Sequence, residues 1–186
     1  MAKIYIIRHG QDADNSSGIL NGHRDMQLTD LGRQQAGEMA KKLKDANIQV
    51  IYTSPLIRAS ETASIISRMI NINKVVTCNQ LIERNFGILT GKLTIDIPKY
   101  ANKIIVSDDV QYFIEADGIE DFPSLYVRAS KVLERIMLHH FDGNALIVCH
   151  GDIGKMLRAA FYNWSWEEGL LTSDFKHNDI IELINE

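Results

Sequence analysis

The sequence predicts an α/β fold with three layers, in which helices cover both faces of a mostly parallel central sheet. Short apolar runs typical of buried strands alternate along the chain with longer segments of helical period. Strands that are separated by helices usually pair in parallel, and buried parallel strands have continuous apolar runs. The length of 186 residues is typical of one domain, so we expect a single domain over residues 1–186.

Each predicted strand is an apolar run of four to six residues, short enough for a buried strand and too short for a helix. The five runs are residues 4–7, 48–53, 75–78, 145–149 and 180–184. Residues 9–28 are rich in Gly, Asn, Asp and Ser and lack a helical period, which indicates a loop. Residues 84–122 are less regular, and we expect short helices and loops there.

The predicted helices lie between these strands. Thr29 is predicted to cap a helix whose apolar face begins at Leu31 and recurs at helical spacing through Leu43. Ser54-Pro55 has the pattern of an N-cap followed by a first-turn proline, which predicts a helix through about Ile70. Pro123 is predicted to open another helix, and a further one is expected from about Ile153 to Tyr162.

Charge and cysteine content exclude several classes of protein. The net charge of −4 provides no overall positive field for nucleic acid or for an anionic membrane. No run reaches the roughly 18 apolar residues that span a bilayer, and the N-terminus lacks a signal-peptide pattern. Cys78 and Cys149 are not spaced as metal ligands, and we expect both to be reduced core thiols. These features predict a cytoplasmic protein.

Charged and polar residues follow three of the predicted strands directly. Arg8 and His9 end the first strand, Arg58 lies one turn into the helix after the second, and His150-Gly151 follows the strand at 145–149. Ligands of parallel sheets bind beyond the carboxyl ends of the strands. The sequence therefore predicts that two arginines and two histidines meet at one edge of the sheet.

This combination suits a phosphoryl group. Guanidinium groups grip phosphate oxygens through paired hydrogen bonds, and a neutral imidazole is a nucleophile near pH 7. A leaving alcohol also needs a proton, but spacing does not choose a donor among the 24 acidic residues. Taken alone, each histidine is more often a surface or hydrogen-bonding residue. We expect that simpler role for the remaining histidines, which are His23, His139, His140 and His177.

Other phosphate and metal chemistries lack their motifs. The chain has no P-loop lysine motif, no cysteine-phosphatase loop and no clustered metal-ligand pattern. We therefore expect no metal and no cofactor.

The sequence resembles the histidine phosphatase superfamily, which includes cofactor-dependent phosphoglycerate mutases and many phosphatases. Arg8-His9-Gly10 matches the N-terminal signature of the family. Four further blocks follow in order: residues 22–32 with the pattern GxxDxxLTxxG, TSPLIRASETA at 53–63, LIERNFGILTGK at 81–92, and VCHG at 148–151. Residues 117–120 and Arg128 resemble the segment before the penultimate helix of the family. Together the matches run from residue 4 to about 160.

The resemblance implies a phosphoglycerate mutase-like fold and assigns roles to individual residues. It implies His9 as the nucleophile, Glu83 as the proton donor, and Arg8, Arg58 and His150 as further catalytic residues. Phosphate would be bound by Arg8, Asn15, Arg58, His150 and Gly151. The expected activity is hydrolysis of small phosphorylated metabolites, with inorganic phosphate as product and no nucleic acid or membrane partner.

Three alternatives stay open: a mutase, a phosphohistidine or phosphotyrosine phosphatase acting on proteins, and a regulatory module without turnover. Gln11 stands where mutases commonly have glutamate, and residues 93–115 match no mutase segment. A chain without the mutase insertions would leave its site open to water, which favours hydrolysis. An intact set of five catalytic candidates argues against the module, and Glu83 favours oxygen esters over phosphohistidine.

Overall fold

The computed structural model describes residues 3–107, 109–138, 143–173 and 175–184. Five strands form the central sheet in the order β3-β2-β6-β1-β7. Their bounds are Ile4–Arg8 (β1), Ile48–Thr53 (β2), Val75–Thr77 (β3), Asn144–Cys149 (β6) and Ile180–Leu183 (β7). The four strands β3, β2, β6 and β1 pair in parallel, and β7 pairs antiparallel with β1. The predicted mostly parallel sheet is therefore confirmed.

Helices flank the sheet and fill the connections. They are Ala13–Ser16 (α1), Asp30–Leu43 (α2), Ile57–Met69 (α3), Ile97–Tyr100 (α4), Phe122–Leu138 (α5), Gly151–Phe161 (α6) and Trp166–Leu170 (α7). Three single-turn 3₁₀ helices lie at Asn79–Leu81, Gly87–Leu89 and Thr94–Asp96. Within the described ranges, no helix is both long enough and apolar enough to cross a lipid bilayer.

Two apolar cores lie on opposite faces of the sheet, because successive strand side chains point to opposite sides. Ile4 and Ile6 of β1 belong to the core that includes the buried faces of α5 and α6. Tyr5 and Ile7 belong to the other core, which includes the buried faces of α2 and α3. This alternation produces the helix–sheet–helix layering that the sequence predicts.

The segment predicted as irregular contains an antiparallel hairpin, formed by Lys103–Ser107 (β4) and Val110–Glu115 (β5). A small third cluster of buried apolar residues lies beneath it and includes Phe86, Leu89, Ile97 and Phe113. The hairpin was not predicted, and it replaces part of the expected loop. Residues 9–28 also differ from the prediction, because they include the one-turn helix α1.

Three local expectations were wrong. Ser54-Pro55 does not cap α3, which begins at Ile57 after Leu56 and has no side-chain cap. The edge strand β3 is exposed along its whole length, and Cys78 after it is only partly buried, whereas Cys149 is buried. Leu31 fits the helical period but is 48% exposed, since α2 turns that position to solvent.

Candidate active site

The carboxyl ends of β1, β2 and β6 meet at one edge of the sheet, because these three strands are neighbours. The His9 backbone N–H donates to the Cys149 carbonyl at 3.0 Å, and the Ser54 N–H donates to the Val148 carbonyl at 3.1 Å. These bonds extend the sheet ladder by one residue beyond each strand. They place the first loop residue after β1 and β2 in a fixed position beside β6.

His9 is held in one tautomer by its backbone. Its Nδ1 lies 2.7 Å from the Gly10 carbonyl oxygen, which can only accept, so Nδ1 carries the proton. Its Nε2 therefore has the lone pair of the ring, which accepts the Arg58 Nε–H at 3.2 Å. Nε2 is thus the ring nitrogen that can act as a nucleophile once this hydrogen bond is exchanged.

His9 and His150 lie side by side, and their surroundings favour the neutral form of both rings. Their ring centroids are 5.0 Å apart, and His150 Nε2 lies 2.7 Å from the Ser54 hydroxyl. Burial lowers the pKa of His9 well below its usual value, and His150, Arg58 and Arg8 lower it further. Burial, followed by Arg58 and Arg8, likewise lowers the pKa of His150. A protonated His150 is thus disfavoured in the free protein.

Arg58 is fully buried and held by four partners. Its two terminal nitrogens donate to the Arg24 carbonyl at 2.6 Å and to the Gly22 carbonyl at 2.8 Å. Its Nε also lies 3.3 Å from the Asp12 carboxylate. These bonds fix the guanidinium against His9 and balance its charge.

Asp12 is a buried carboxylate that sequence reasoning missed. One of its oxygens accepts the Asn15 backbone N–H at 2.8 Å, which caps α1, and the other accepts from the Asn21 side-chain amide. Burial raises the pKa of Asp12, while the Asn15 N–H and the Arg58 charge oppose that rise. Asp12 therefore links Arg58 to Asn15 and Asn21, two residues that line the cavity described below. Its signal was the Asp-x-x-Asn spacing of a capping box.

Glu83 lies against the N-terminus of α6 and is 5% exposed. Its carboxylate accepts the Arg84 N–H at 2.8 Å, the Ile153 N–H at 3.2 Å and the Asp152 N–H at 3.3 Å. Burial raises the pKa of Glu83 and the nearby Asp152 raises it further, whereas these backbone donors and Arg58 lower it. The net rise keeps a protonated carboxyl available closer to neutral pH than an exposed glutamate allows.

A cavity of about 370 Å³ opens beside these groups. Of the predicted site residues, Arg8, His9, Asn15, Glu83 and Gly151 line it. Arg58 and His150 are fully buried next to His9 and are not among the lining residues. The structure thus brings all the predicted residues together. Five of them line the cavity, whereas Arg58 and His150 form a second, fully buried layer next to His9.

Three further basic side chains line the cavity and were not predicted there, namely Arg84, Lys155 and His177. The His177 Nδ1 lies 2.6 Å from the His9 carbonyl oxygen, and its ring centroid is 5.5 Å from that of His9. Lys155 lies on α6 and is buried. Of the other histidines, His23 contacts the Glu83 carbonyl oxygen at 2.7 Å, and His139 and His140 lie outside the described residues.

Comparisons with known proteins identify the family of the chain. The family model for the histidine phosphatase superfamily (branch 1) matches residues 4–176. Phosphoglycerate mutase-like protein 4 of Arabidopsis thaliana is 34% identical over 160 residues, covering 84% of this chain and 69% of the relative. Phosphoserine phosphatase 1 of Hydrogenobacter thermophilus is 29% identical over 151 residues, covering 81% and 71%. Among solved structures, Bacillus stearothermophilus YhfR superposes with a TM-score of 0.82 at 26% identity, covering 98% of this chain and 90% of that one.

Proposed function

The chain belongs to the histidine phosphatase superfamily, and from that premise we propose that it is a phosphomonoester hydrolase with a phosphohistidine intermediate on His9. The observation that carries the proposal is the fixed tautomer of His9. Its Nδ1 proton is committed to the Gly10 carbonyl, so the ring lone pair is on Nε2, which exchanges its hydrogen bond from Arg58 for the bond to phosphorus.

The covalent step proceeds by displacement. His9 Nε2 forms the N–P bond as the bond from phosphorus to the ester oxygen breaks. Glu83 gives its proton to the departing alkoxide. Water then attacks the phosphohistidine and passes a proton to the Glu83 carboxylate, which releases phosphate and restores both residues.

Positive charge at the phosphoryl oxygens comes from arginine. Arg8 lines the cavity, where its Nε is buried without a partner and one terminal nitrogen donates to the Phe175 carbonyl at 3.1 Å. Arg58 contributes from beside His9, and Asn15 supplies a neutral donor. Because fixed cations stabilise the charge of the transferring group, we propose that no metal ion is needed.

We propose small phosphorylated metabolites as substrates. A cavity of about 370 Å³ is near the lower end of the range typical for small-molecule sites. Related proteins carry names such as phosphoserine phosphatase and phosphoglycerate mutase-like protein. Hydrolysis is preferred over mutase chemistry because residues 93–115 form a short hairpin and single turns rather than a long enclosing insertion. The proposed location is the cytoplasm, in keeping with two free cysteines.

The test is quenching in alkaline detergent after mixing the EDTA-treated protein with a ³²P-labelled phosphomonoester. Label should stay on the protein, stable to base and labile to acid, and His9→Ala should abolish it together with turnover. His177→Ala is the matched control, because it removes another histidine of the same cavity and should still take label on His9. Label retained by His9→Ala, or activity that requires an added divalent ion, contradicts the proposal.

A further inference from the structure

The cavity has an apolar wall formed by Ile19, Leu20, Phe86, Ile97, Val110 and Phe113. Phe86, Ile97 and Phe113 belong to the third apolar cluster, and Leu20 packs against it. Ile19, Leu20 and Val110 are partly exposed, so they are accessible to a ligand in the cavity. A phosphoryl group next to His9 and Arg8 leaves the remainder of this same cavity for its leaving group.

The nearest cation to this wall, Arg84, is fully buried and paired with a carboxylate, although one of its terminal nitrogens has no partner among the described residues. Its guanidinium lies between the rings of Phe113 and Phe122, 4.0 and 4.2 Å from their centroids. Its Nε donates to the Asp152 carboxylate at 2.7 Å, and the side chain is fully buried. Arg84 therefore supports the wall and has its charge neutralised by Asp152.

Lys155 is committed as well. Its ammonium group donates to the Leu170 carbonyl at 2.9 Å and to the Thr172 carbonyl at 2.8 Å. It also lies 4.8 Å from the centroid of the Tyr112 ring. Since the residue is only 4% exposed, these contacts hold the ammonium group away from an incoming ligand.

The remaining cationic side chains of the cavity are next to the nucleophile. Arg8 precedes His9 in sequence, and the His177 ring is 5.5 Å from the His9 ring. Both are thus placed for the phosphoryl group rather than for the leaving group. On the hairpin, the exposed charged residue that lines the cavity is the acidic Asp109. Among the described lining residues, the leaving-group side has no accessible cation.

We propose, on the basis of the proposed function, that this site selects phosphomonoesters with an uncharged, partly apolar leaving group and discriminates against leaving groups that carry a carboxylate. An apolar ring or chain gains contact with the wall as water is displaced. A carboxylate loses hydration there without gaining an ion pair, and it meets the negative charge of Asp109. The β4–β5 hairpin contributes Asp109, Val110 and Phe113 to this specificity.

Three esters of primary alcohols test the proposal through kcat/KM: benzyl phosphate, glycerol 3-phosphate and 3-phosphoglycerate. The last two share a three-carbon skeleton. Glycerol 3-phosphate has a hydroxymethyl group at the position where 3-phosphoglycerate has a carboxylate. We expect benzyl phosphate to be preferred, and glycerol 3-phosphate to exceed 3-phosphoglycerate by roughly tenfold or more. Equal or faster hydrolysis of 3-phosphoglycerate overturns the proposal.

Two substitutions on the hairpin test where the selectivity originates. Asp109→Asn removes the repulsion and should raise kcat/KM for 3-phosphoglycerate relative to glycerol 3-phosphate by roughly threefold. Val110→Lys supplies the missing cation and should raise the same ratio by roughly tenfold. Asp45→Asn changes the net charge equally at an exposed position that does not line the cavity, and it should leave the ratio unchanged. If neither hairpin variant changes the ratio of kcat/KM for 3-phosphoglycerate to that for glycerol 3-phosphate, the assignment of the selectivity to the hairpin is overturned.

The outcome separates this inference from the function on which it rests. A wild-type protein that hydrolyses no ester, including p-nitrophenyl phosphate, refutes the proposed function and the inference together. Hydrolysis that depends on His9 but prefers 3-phosphoglycerate refutes the inference alone.

Discussion

Replacing Glu83 with glutamine removes the proposed acid while keeping the shape of the side chain. If Glu83 protonates the leaving group, the loss must depend on how much that group needs a proton. An alkyl alkoxide is a poor leaving group at neutral pH, whereas p-nitrophenolate departs without help. Glu83→Gln should therefore impair hydrolysis of glycerol 3-phosphate or benzyl phosphate far more than hydrolysis of p-nitrophenyl phosphate.

The structure sets the size of two separate effects. General acid catalysis contributes about 10²–10⁴-fold, so the alkyl esters should lose that much in kcat. The carboxylate also accepts three backbone N–H groups, from Arg84, Asp152 and Ile153. An amide has one oxygen and cannot satisfy donors on both sides, so at least one N–H loses its acceptor. We expect a stability loss of about 1–3 kcal/mol for that buried group.

The assay compares kcat for the two kinds of ester under conditions in which both proteins are folded, as shown by thermal melts. Because stability should fall whether or not Glu83 is the acid, the melting temperature does not discriminate between the roles. The ratio of the two kcat losses does. For p-nitrophenyl phosphate we expect a loss within about tenfold, which represents misplacement of the active-site backbone.

Equal losses on both esters would falsify the assignment of Glu83 as proton donor. Glu83 would then be a structural partner of the α6 N-terminus. That result would also weaken the preference for oxygen esters over phosphohistidine, whose nitrogen leaving group scarcely needs an acid.

Two further predictions concern pH and packing. Asp152→Asn removes a charge that raises the pKa of Glu83, so the pKa of Glu83 should fall. The basic limb of the pH profile of kcat/KM for an alkyl ester should therefore move to lower pH. A basic limb that does not move contradicts the coupling between Asp152 and Glu83. Gly32→Ala should destabilise the fold by several kcal/mol, roughly as overpacking does, because its Cβ overlaps the backbone after His9. Gly37 lies on the same helix, where an added Cβ would make only ordinary contacts, so Gly37→Ala should stabilise the fold by about 0.5–1 kcal/mol. Chemical denaturation measures both variants. Similar changes in unfolding free energy for Gly32→Ala and Gly37→Ala would show that the backbone contact of Gly32 is not the cause of the destabilisation.

The positions of the strands and of three strand-end motifs could be predicted from sequence, because buried parallel strands have uninterrupted apolar runs. Ile4–Arg8 and Asn144–Cys149 are examples, and their adjacency places His9 beside His150. The hairpin at Lys103–Glu115 could not be predicted in the same way. Its strands are only partly buried, and its turn lacks the glycine that marks tight hairpins.

The layering of the site was also beyond the sequence. A strand-end arginine and histidine could equally line a cavity or lie beneath it, and only the fold decides between these positions. Arg58 is buried because carbonyls of the loop at Gly22 and Arg24 and the Asp12 carboxylate surround it. Such contacts join segments that are more than 30 residues apart, and no local pattern encodes them. His177 reaches the cavity for the same reason, through its bond to the His9 carbonyl.

Burial acts in opposite directions on the two proposed proton-handling groups, and this explains how both are reactive together. Removing a group from water disfavours its charged form, so the pKa of His9 falls and that of Glu83 rises. In the proposed mechanism the neutral imidazole is the nucleophile, and the neutral carboxyl is the acid. Activity toward alkyl esters therefore requires a pH above the lowered pKa of His9 and favours a pH below the raised pKa of Glu83. Both shifts move the two pKa values toward the order that this mechanism needs. An exposed histidine and an exposed glutamate have the opposite order, with the acid deprotonated before the base is free.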